Sequence, residues 1–580
     1  MPFFMDTDKL VTLEEAAGRV RDGDVVALGG GLSARLPMAL VRELVRQGRR
    51  DLHLVGSAHG IDVDLLVAAG AVSVCEESYV GFEQDLGLAP AYRRAAEGGD
   101  IRLAESCCVT MLTQLRAAEA GVPFLPVRGV KGSDIRRLHP EYAEITCPFT
   151  GEVLIAVPAL SPDVALIHAS LGDRRGNLHF DKPYVLDERF ASASQLVIAT
   201  VERMVSNRGG CRSRSHRPRP SGHSCRRSTI RRPSDLVLPG VCLRPEPPAR
   251  LRRGGGHRGG CLGVSGALRH RRADRVGIPQ ARRRGEPRTV DRLGQIHACL
   301  EGALRMTFTI DEWFVVTLAR TIKDREAVFH GFGSPCAQVA MHVARHTHAR
   351  DMLLVEGATY AVNPEPEFIP PTGNDLALQH RAVYQLRFEE FFDAAIRGDI
   401  DRMFLSGGQI DAWGNTNVTA VGPIERPKVK LGGGGGGCNL AATIKNLTLW
   451  TTRHGSGRTL VEQCDFVTDM GHRTKEGTRT ELGFTGGGPE WLVTELGVFD
   501  FPQGRARLRQ TYPDVTLDQV TDATGFSFEV AGDLKHVPFP SAAELAALRS
   551  VDPLGVRRQE FSSTELKRVF EHGSGASCAC

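Results

Sequence analysis

The chain has 580 residues, enough for several domains with cores of their own, since a domain usually has about 100–200 residues. Its hydrophobic content of 41% is typical of a globular protein and excludes a fibrous or wholly disordered chain. Asp6 and Asp8 stand where an export signal would be basic and then apolar, and no apolar run reaches about 18 residues. We therefore expect a cytoplasmic protein without membrane spans.

The 14 cysteines are scattered, and no C-x-x-C pair occurs among them. Zinc sites and disulfide frameworks both show regular cysteine spacing. A structural zinc and a disulfide-stabilised fold are therefore disfavoured.

The predicted elements alternate between strand and helix from residue 24 onward. Residues 24–28 (DVVAL) form a short apolar strand, MALVRELVRQG has apolar residues at helical spacing, and DLHLV at 51–55 is a second strand. This alternation predicts a parallel sheet with helices on both faces. Gly29, Gly31 and Ala34 fit the dinucleotide fingerprint G-x-G-x-x-A, but the next strand ends at Gly56 where that fingerprint requires an acid. A nicotinamide or flavin site is therefore disfavoured.

The segment 207–305 differs in composition from the rest of the chain. Between Cys211 and Leu300 it holds 22 Arg, five acids and no Lys, and without these residues the chain has 50 basic and 63 acidic side chains. The same stretch lacks Phe, Tyr, Trp, Asn and Met, whereas the residues it favours have GC-rich codons. We interpret it as GC-rich DNA translated out of frame. A disordered basic linker is one alternative, and a nucleic-acid-binding arm is another, disfavoured because no aromatic residue could stack on a base.

Three matches in the same order indicate that the second half of the chain repeats the first. VVALGGG after Asp22 matches AVFHGFG after Asp324, DLHLV at 51–55 matches DMLLV at 351–355, and GDRRGN matches IDAWGN. Gly29 and Gly31 thus correspond to Gly331 and Gly333. We predict two copies of one domain, 1–206 and 306–565, joined by the segment 207–305 and followed by a tail, 566–580.

The two copies differ at the end of the second strand. The first copy has Gly56 and Ser57 there, and the second has Glu356 and Gly357. Because ligands of open α/β sheets bind beyond the carboxyl ends of the strands, Glu356 is a candidate reactive group in a pocket that both copies share. The alternative is that this acid caps a helix or pairs with an arginine.

Six consecutive glycines, Gly432 to Gly437, form a second unusual stretch, here called the glycine tract. Without side chains, such a run either forms a flexible loop or lets backbone N–H groups approach a ligand and stabilise an oxyanion. The sequence leaves both interpretations open. Asn415 and Asn417, which come shortly before the tract, are expected to brace their own turn.

These motifs carry a family resemblance. The first copy, with DGDVVALGGGLSARLP, SYVGFE, GVPFLPVRGVKGSD and GDRRGN, resembles the α subunit of class I coenzyme A transferases of the glutaconate type. The second copy, with FGSP, LLVEG, GGQIDAWGNTN, RPKVKLGGGGGG and CDFVTDMGH, resembles the β subunit of the same enzymes, and Met306 looks like the start of a separate β chain. The resemblance implies an α/β fold with two homologous open parallel-sheet domains (NagB/RpiA/CoA-transferase-like), fused in one chain and joined by the anomalous Arg-rich segment.

The resemblance also implies an activity, which is transfer of coenzyme A between an acyl-CoA and a carboxylic acid. Glu356 would be the nucleophile and would carry a glutamyl-CoA thioester. CoA is then a substrate, no metal or redox cofactor is needed, neither nucleic acid nor membrane is a partner, and the fused chain forms a homo-oligomer. The implied oxyanion and CoA-binding residues are Gly331, Gly333, Gly407, Gly408, Gln409, Gly434, Gly435 and Asn439. The residues implied to face the substrate from the first copy are Gly30, Gly31, Arg35, Ser78, Tyr79 and Glu105.

Two other functions stay open. Some relatives of this family are hydrolases that open a ring in CoA thioesters of steroid catabolism, and they act through a glutamate of the α subunit. Glu105 lies near the position of that glutamate, although its spacing to the downstream PFLP differs. The fused chain could also be a non-catalytic remnant.

Overall fold

The computed structural model describes residues 8–82, 87–205, 236–239 and 305–573. Met1–Cys242 and Thr307–Phe570 form one compact unit, which contains both sequence copies. A second unit, Leu243–Met306 with Glu571–Cys580, lies almost wholly outside the described residues. The interpretation of 207–305 as an out-of-frame segment also falls mostly outside them, so that interpretation and the domain boundaries stay predictions.

The first half alternates strands and helices as predicted. Its strands are β1 (Leu10–Val11), β2 (Val25–Leu28), β3 (Leu52–His59), β4 (Val72–Val80), β5 (Arg102–Leu103), β6 (Phe124–Val127), β7 (Ala143–Thr146), β8 (Val153–Pro158), β9 (Val164–Gly172), β10 (Leu178–His179), β11 (Leu196–Met204) and β12 (Leu236–Pro239). Its helices are α1 (Leu13–Ala17), α2 (Met38–Arg46), α3 (Ile61–Ala68), α4 (Pro90–Gly98), α5 (Cys108–Ala120) and α6 (Asp187–Ala193), with a 3₁₀ helix at Asp134–Leu138.

Most of these strands form one nine-stranded sheet in the order β1-β12-β11-β9-β2-β3-β4-β5, with β10 paired to β9. The pairs along the main path from β1 to β5 are parallel. Strands β6, β8 and β7 form a separate antiparallel sheet. The parallel arrangement places the carboxyl ends of β2 and β3 side by side, where the first glycine turn begins.

Strand β12 comes from within the Arg-rich segment. Its sequence, LVLP, is an apolar run in a stretch otherwise dominated by Arg, Gly and Pro. Its backbone pairs with β1 on one side and with β11 on the other. At least these four residues of the segment 207–305 therefore belong to the sheet.

The second half follows the same plan. Its strands are β13 (Arg305–Thr309), β14 (Ala327–His330), β15 (Leu353–Val355), β16 (Ala361–Val362), β17 (Tyr384–Gln385), β18 (Arg402–Ser406), β19 (Gln409–Ile410), β20 (Thr416–Asn417), β21 (Ala420–Val421), β22 (Val429–Lys430), β23 (Asn446–Thr451), β24 (Arg473–Thr474), β25 (Gly477–Thr478), β26 (Pro489–Thr494), β27 (Gly497–Asp500), β28 (Arg507–Thr511), β29 (Glu529–His536) and β30 (Val569–Gly573). Its helices are α7 (Ile310–Ala319), α8 (Pro335–His346), α9 (Phe388–Arg397), α10 (Gly437–Thr443), α11 (Leu517–Ala523) and α12 (Ala542–Val551). Its 3₁₀ helices are Leu376–Gln379, His454–Ser456, Pro502–Gly504, Val556–Glu560 and Glu565–Lys567.

The ten-stranded sheet of this half has the order β17-β16-β15-β14-β18-β23-β26-β27-β28-β29. Its parallel core, β23-β18-β14-β15, has the same order as β11-β9-β2-β3 in the first half. The predicted fold class, with two homologous parallel-sheet domains, is confirmed.

The matched motifs also make the same contacts in both halves. The carboxylate of Asp22 accepts the N–H of Arg50 at 2.9 Å, and that of Asp324 accepts the N–H of Asp351 at 2.9 Å. Asn177 Nδ2 donates to Asp173 at 2.8 Å, and Asn415 Nδ2 donates to Asp411 at 2.7 Å. These side chains therefore fix turns in the repeated domain, as expected for Asn415.

The two halves pack against each other at the ends of their second strands. Ala58, the seventh residue of β3, and Ala358, just beyond β15, belong to one small buried cluster with Leu32. Polar contacts also cross between the halves, including Arg116 in α5 with Asp393 in α9, at 2.8 and 2.9 Å. The strand ends that the repeat places in equivalent positions thus meet at one interface. No helix in the described part of the chain is long and apolar enough to span a bilayer.

Candidate active site

A cavity of about 670 Å³ opens between the two halves. Tyr79 lines it from the first half, and the turn after β14, the turn after β18 and the whole glycine tract line it from the second. The predicted site residues that this main cavity brings together are Tyr79, Gly331, Gly333, Gly407, Gly408, Gly434 and Gly435. Two repeated glycine turns and the tract therefore share one space.

Glu356 lies directly after β15, is fully buried and does not line the main cavity. Three side chains surround its carboxylate. Helix α8 supplies two of them from one face, Gln338 Nε2 at 2.8 Å from Oε2 and His342 Nε2 at 2.7 Å from Oε1. The third, His330, ends β14 and places Nε2 at 3.1 Å from Oε2. The alternative roles weighed for this acid, a helix cap or a pair with arginine, are not what these contacts show.

His330 has a second set of contacts that constrains its proton. Nδ1 lies 2.9 Å from the carbonyl oxygen of Gly331, which only accepts, so Nδ1 carries a hydrogen. Nε2 lies 3.0 Å from the N–H of Gly357 and 3.1 Å from Glu356. Nε2 therefore donates to Glu356 only when the ring is an imidazolium, and accepts from Gly357 when the ring is neutral.

These contacts keep Glu356 ionised. Burial alone would raise the pKa of the carboxyl group, but the hydrogen bonds and charges of His330 and His342 outweigh it and lower the pKa to about 2. The site thus holds a desolvated carboxylate in a defined orientation.

A small cavity of about 10 Å³, the space of roughly one water molecule, adjoins this carboxylate. His330 and Gln338, the two partners of Oε2, line it. Phe332 and Gly333 line both this small cavity and the main cavity. The turn after β14 therefore separates Glu356 from the main cavity, and Oε2 is the carboxylate oxygen on that side.

The glycine tract is an ordered wall between the halves. Gly433 has φ +107° and Gly435 has φ +57°, conformations that favour glycine. The N–H of Gly435 donates to Ser78 O at 2.8 Å, and the N–H of Gly434 donates to the carboxylate of Glu105. The flexible-loop interpretation therefore does not fit, and two of the amides expected to face an oxyanion are bound to the first half.

Glu105 is also buried beneath the tract. Lys430 Nζ lies 3.0 Å from its Oε2, and both side chains are at most 2% exposed. Burial raises the pKa of Glu105 although Lys430 opposes the shift. A Cβ added at Gly433 would lie 2.5 Å from Glu105 Oε1, so the tract covers this acid on the side of the main cavity.

The remaining residues predicted to face the substrate are engaged within the first half. Arg35 binds Asp187 at 2.7 Å and the carbonyls of Asp181 and Pro183. The N–H of Gly30 donates to Asp187 at 2.9 Å, and Gly31 makes a tight turn with Ala34. The hydroxyl of Ser78 donates to the carbonyl of Ser57. None of these four residues lines the main cavity, and their predicted roles stay predictions.

Gln409 and Asn439 also point elsewhere. Gln409 accepts from Asn417 Nδ2 at 2.7 Å and donates to Asp465 at 3.2 Å. Asn439 Nδ2 donates to Cys107 Sγ at 3.0 Å and to Thr110 at 3.1 Å, across to the first half. In this structure Asn417 and Gln409 brace a turn, and Asn439 ties the halves together.

The sequence interpretation missed the three partners of Glu356. Gln338 and His342 are four residues apart, so they lie on one face of α8, which is otherwise apolar over most of its length. Two polar residues at that spacing in a buried helix were a signal for a buried polar partner. No group of three or more His, Cys, Asp and Glu side chains within the described ranges could hold a metal ion.

Sequence comparisons connect this geometry to known proteins. The family model for coenzyme A transferase matches residues 10–221 and 313–523. The first half is 37% identical over 203 residues to one of the two subunits of 3-oxoadipate CoA-transferase of Pseudomonas knackmussii, which covers 34% of this chain and 71% of that protein. The second half is 31% identical over 248 residues to the other subunit of that enzyme, which covers 42% and 94%.

Two further likenesses concern an alternative activity and the fold. The first half is 37% identical over 206 residues to the cholesterol ring-cleaving hydrolase IpdA subunit of Rhodococcus jostii, over 34% of this chain and 69% of that protein. The whole fold is similar to acyl-CoA transferase YdiF of E. coli O157:H7 in its thioester complex with CoA. The TM-score is 0.62 at 18% identity, over 92% of this chain and 96% of that one. With the family matched in both halves, the chain belongs to the coenzyme A transferase family and is a CoA-transferase whose α-type and β-type halves are fused.

Proposed function

We propose that this chain transfers coenzyme A between an acyl-CoA and a carboxylic acid through a glutamyl-CoA thioester on Glu356. The observation that carries the proposal is the buried carboxylate itself. Its pKa of about 2 keeps it ionised, it has no water shell, and it adjoins the main cavity through one turn. A carboxylate is a weak nucleophile in water, and desolvation with fixed orientation is how a protein activates it.

Oε2 is the oxygen that attacks in this scheme. His342 holds Oε1 from the side away from the small cavity, whereas the partners of Oε2 line that cavity. Oε2 adds to the thioester carbonyl carbon, the C–S bond breaks, and a mixed anhydride forms with release of CoA. The CoA sulfur then attacks the glutamyl carbonyl and releases the first carboxylate. A second carboxylate reverses both steps.

Phe332 must move for this reaction to occur. A volume of about 10 Å³ beside Glu356 is too small for an acyl group, and Phe332 lines both cavities. Its ring lies 6.4 Å from that of Tyr79 across the interface between the halves. We infer that acyl-CoA binding displaces Phe332 and joins the two cavities. While Phe332 covers the intermediate, it also keeps out water, which a transferase requires and a hydrolase does not.

The experiment is a mass measurement of the adduct. The purified full chain is incubated with a panel of acyl-CoA thioesters, and the intact mass and the peptide that contains Glu356 are measured. We expect an increase equal to bound CoA on Glu356. Glu356→Gln should give neither adduct nor turnover, because an amide does not form the anhydride. Glu365→Gln, at a neighbouring acid with an exposed side chain, is the matched control and should keep both.

The outcome in favour of a hydrolase is distinct. If acyl-CoA is consumed without an adduct, Glu105→Gln is inactive and Glu356→Gln is active, then the ring-opening type of chemistry is the better description. A protein that gives neither adduct nor consumption with the whole panel would be a non-catalytic remnant. A cytoplasmic location and a homo-oligomer of the fused chain are part of the same proposal, and sedimentation measures the latter.

A further inference from the structure

The stretch CDFVTDMGH contains a buried acid to which the scheme above gives no role. Asp469 is 2% exposed and lines the main cavity. Its Oδ2 accepts from Thr416 Oγ1 at 2.7 Å, which fixes the carboxyl group. Its Oδ1 is buried and has no hydrogen-bond partner within the described part of the chain. An unpaired buried carboxyl oxygen is costly, and at a cavity it is a candidate ligand contact.

The glycine tract makes room for this oxygen. A Cβ added at Gly437 would collide with Asp469 Oδ1, and one added at Gly434 would lie 3.7 Å from it. A Cβ at the next residue, Gly435, would lie 3.7 Å from the ring of Phe332. Asp469 and Phe332 therefore flank two consecutive glycines, which places Oδ1 close to the passage to Glu356.

We propose that Asp469 is a further catalytic residue, whose Oδ1 exchanges a proton with the sulfur of coenzyme A during transfer. This inference rests on the proposed glutamyl-CoA mechanism. As Glu356 attacks, the C–S electron pair passes to sulfur, and sulfur takes the proton from Oδ1, leaving a free thiol and the Asp469 carboxylate. As sulfur then attacks the anhydride, Oδ1 takes the proton back, the new S–C bond forms, and the C–O bond to the first acyl group breaks.

The surroundings of Asp469 suit that role. Burial, and less strongly the Cys107 thiol, raise the pKa of Asp469 to about 7, while the bond from Thr416 opposes the shift. The ionisable groups that affect it or that it affects are the thiols of Cys107 and Cys438. General acid catalysis is most effective when the acid has a pKa near the working pH.

The test varies the leaving group. Asp469→Asn should lower kcat/KM for an acyl-CoA by about 10²- to 10⁴-fold. The same variant should lose less than about tenfold with an aryl thioester of the same acyl group, because an acidic aryl thiolate leaves without a proton. The fall in kcat/KM of the wild type as pH rises through about 7 should be absent in the variant. Equal losses with both thioesters would overturn the inference and indicate a structural role.

A second measurement needs no variant that might misfold. In heavy water the wild-type protein should show a solvent isotope effect on acyl-CoA turnover and little effect with the aryl thioester. Identical isotope effects for the two substrates would also overturn the inference. If the wild type forms no adduct on Glu356 at all, the proposed function fails, and that result is separate from either outcome for Asp469.

Discussion

His342 Nε2 lies 2.7 Å from Glu356 Oε1, and neither side chain is more than 2% exposed. Helix α8 thus holds one oxygen of the acid at the end of β15 and leaves the other toward the small cavity. A hydrogen bond to a buried charge is among the stronger polar contacts in a protein.

Removal of this donor is therefore expected to destabilise the protein. His342→Leu should lower the free energy of unfolding by about 2 kcal/mol, because a buried carboxylate loses a partner. It should also slow adduct formation on Glu356. His342→Gln, which keeps an N–H donor, is the control and should recover part of both losses. Urea unfolding and adduct kinetics measure the two effects, and equal behaviour of the two variants would contradict the assignment.

The low pKa of Glu356 predicts how stability depends on pH. A carboxyl group with a folded-state pKa of about 2 and an unfolded pKa of about 4.3 stabilises the fold above the unfolded value. That contribution disappears as the pH falls through about 4 toward 2. The difference in free energy of unfolding between the wild type and Glu356→Gln should therefore shrink over this range. A difference that stays constant with pH would show that Glu356 is not held ionised.

The pair of Glu105 and Lys430 connects the halves inside the protein, with 3.0 Å between Nζ and Oε2. Lys430→Met should lower the free energy of unfolding by about 3–5 kcal/mol, because it leaves an acid buried without its partner. Adding Glu105→Gln to Lys430→Met should restore much of the stability. Urea unfolding of the two single variants and the double variant forms a double-mutant cycle. Additive losses would mean that the two groups do not interact.

Two glycines of the tract offer a matched comparison. Both have positive φ, but a Cβ at Gly433 would strike the carbonyl of Ser78 and Glu105 Oε1, whereas one at Gly435 would meet only the Phe332 ring at 3.7 Å. Gly435→Ala should cost about 1 kcal/mol from the backbone conformation. Gly433→Ala should cost clearly more in thermal stability and activity. Similar melting temperatures for both variants would argue against close packing of the tract on the first half.

The contacts between the halves predict the effect of cutting the chain. Arg116 with Asp393, Lys430 with Glu105, and Gly435 N–H with Ser78 O all join the two halves directly. A protease site placed within 243–304 should therefore give two pieces that still elute together and keep Glu356 chemistry. Separation of the pieces at micromolar concentration would show that these contacts do not suffice.

Local sequence patterns predicted the repeated elements well. The Asp–Asn turns and the strand and helix of each first unit depend on neighbours within about 30 residues, so both halves show them. The end-of-strand position of Glu356 was predictable for the same reason, because sheet topology alone places it at an edge where ligands bind.

The partners of individual side chains were much less predictable. Arg35 binds Asp187, which is 152 residues away, and Asn439 binds Cys107 in the other half. Such contacts depend on how the two halves dock, and no local pattern encodes that. The amides of the glycine tract show the same limit, since Ser78 and Glu105 occupy two of them.

The presence of both halves of the interface in a single polypeptide changes how that interface assembles. Two separate subunits meet in a second-order reaction, so their complex weakens on dilution. Here the docking of one half on the other is an intramolecular step, governed by an effective concentration that dilution does not change. Each molecule also carries the two halves in equal number, so an imbalance in synthesis cannot leave Glu356 without the wall that Tyr79 and Ser78 provide.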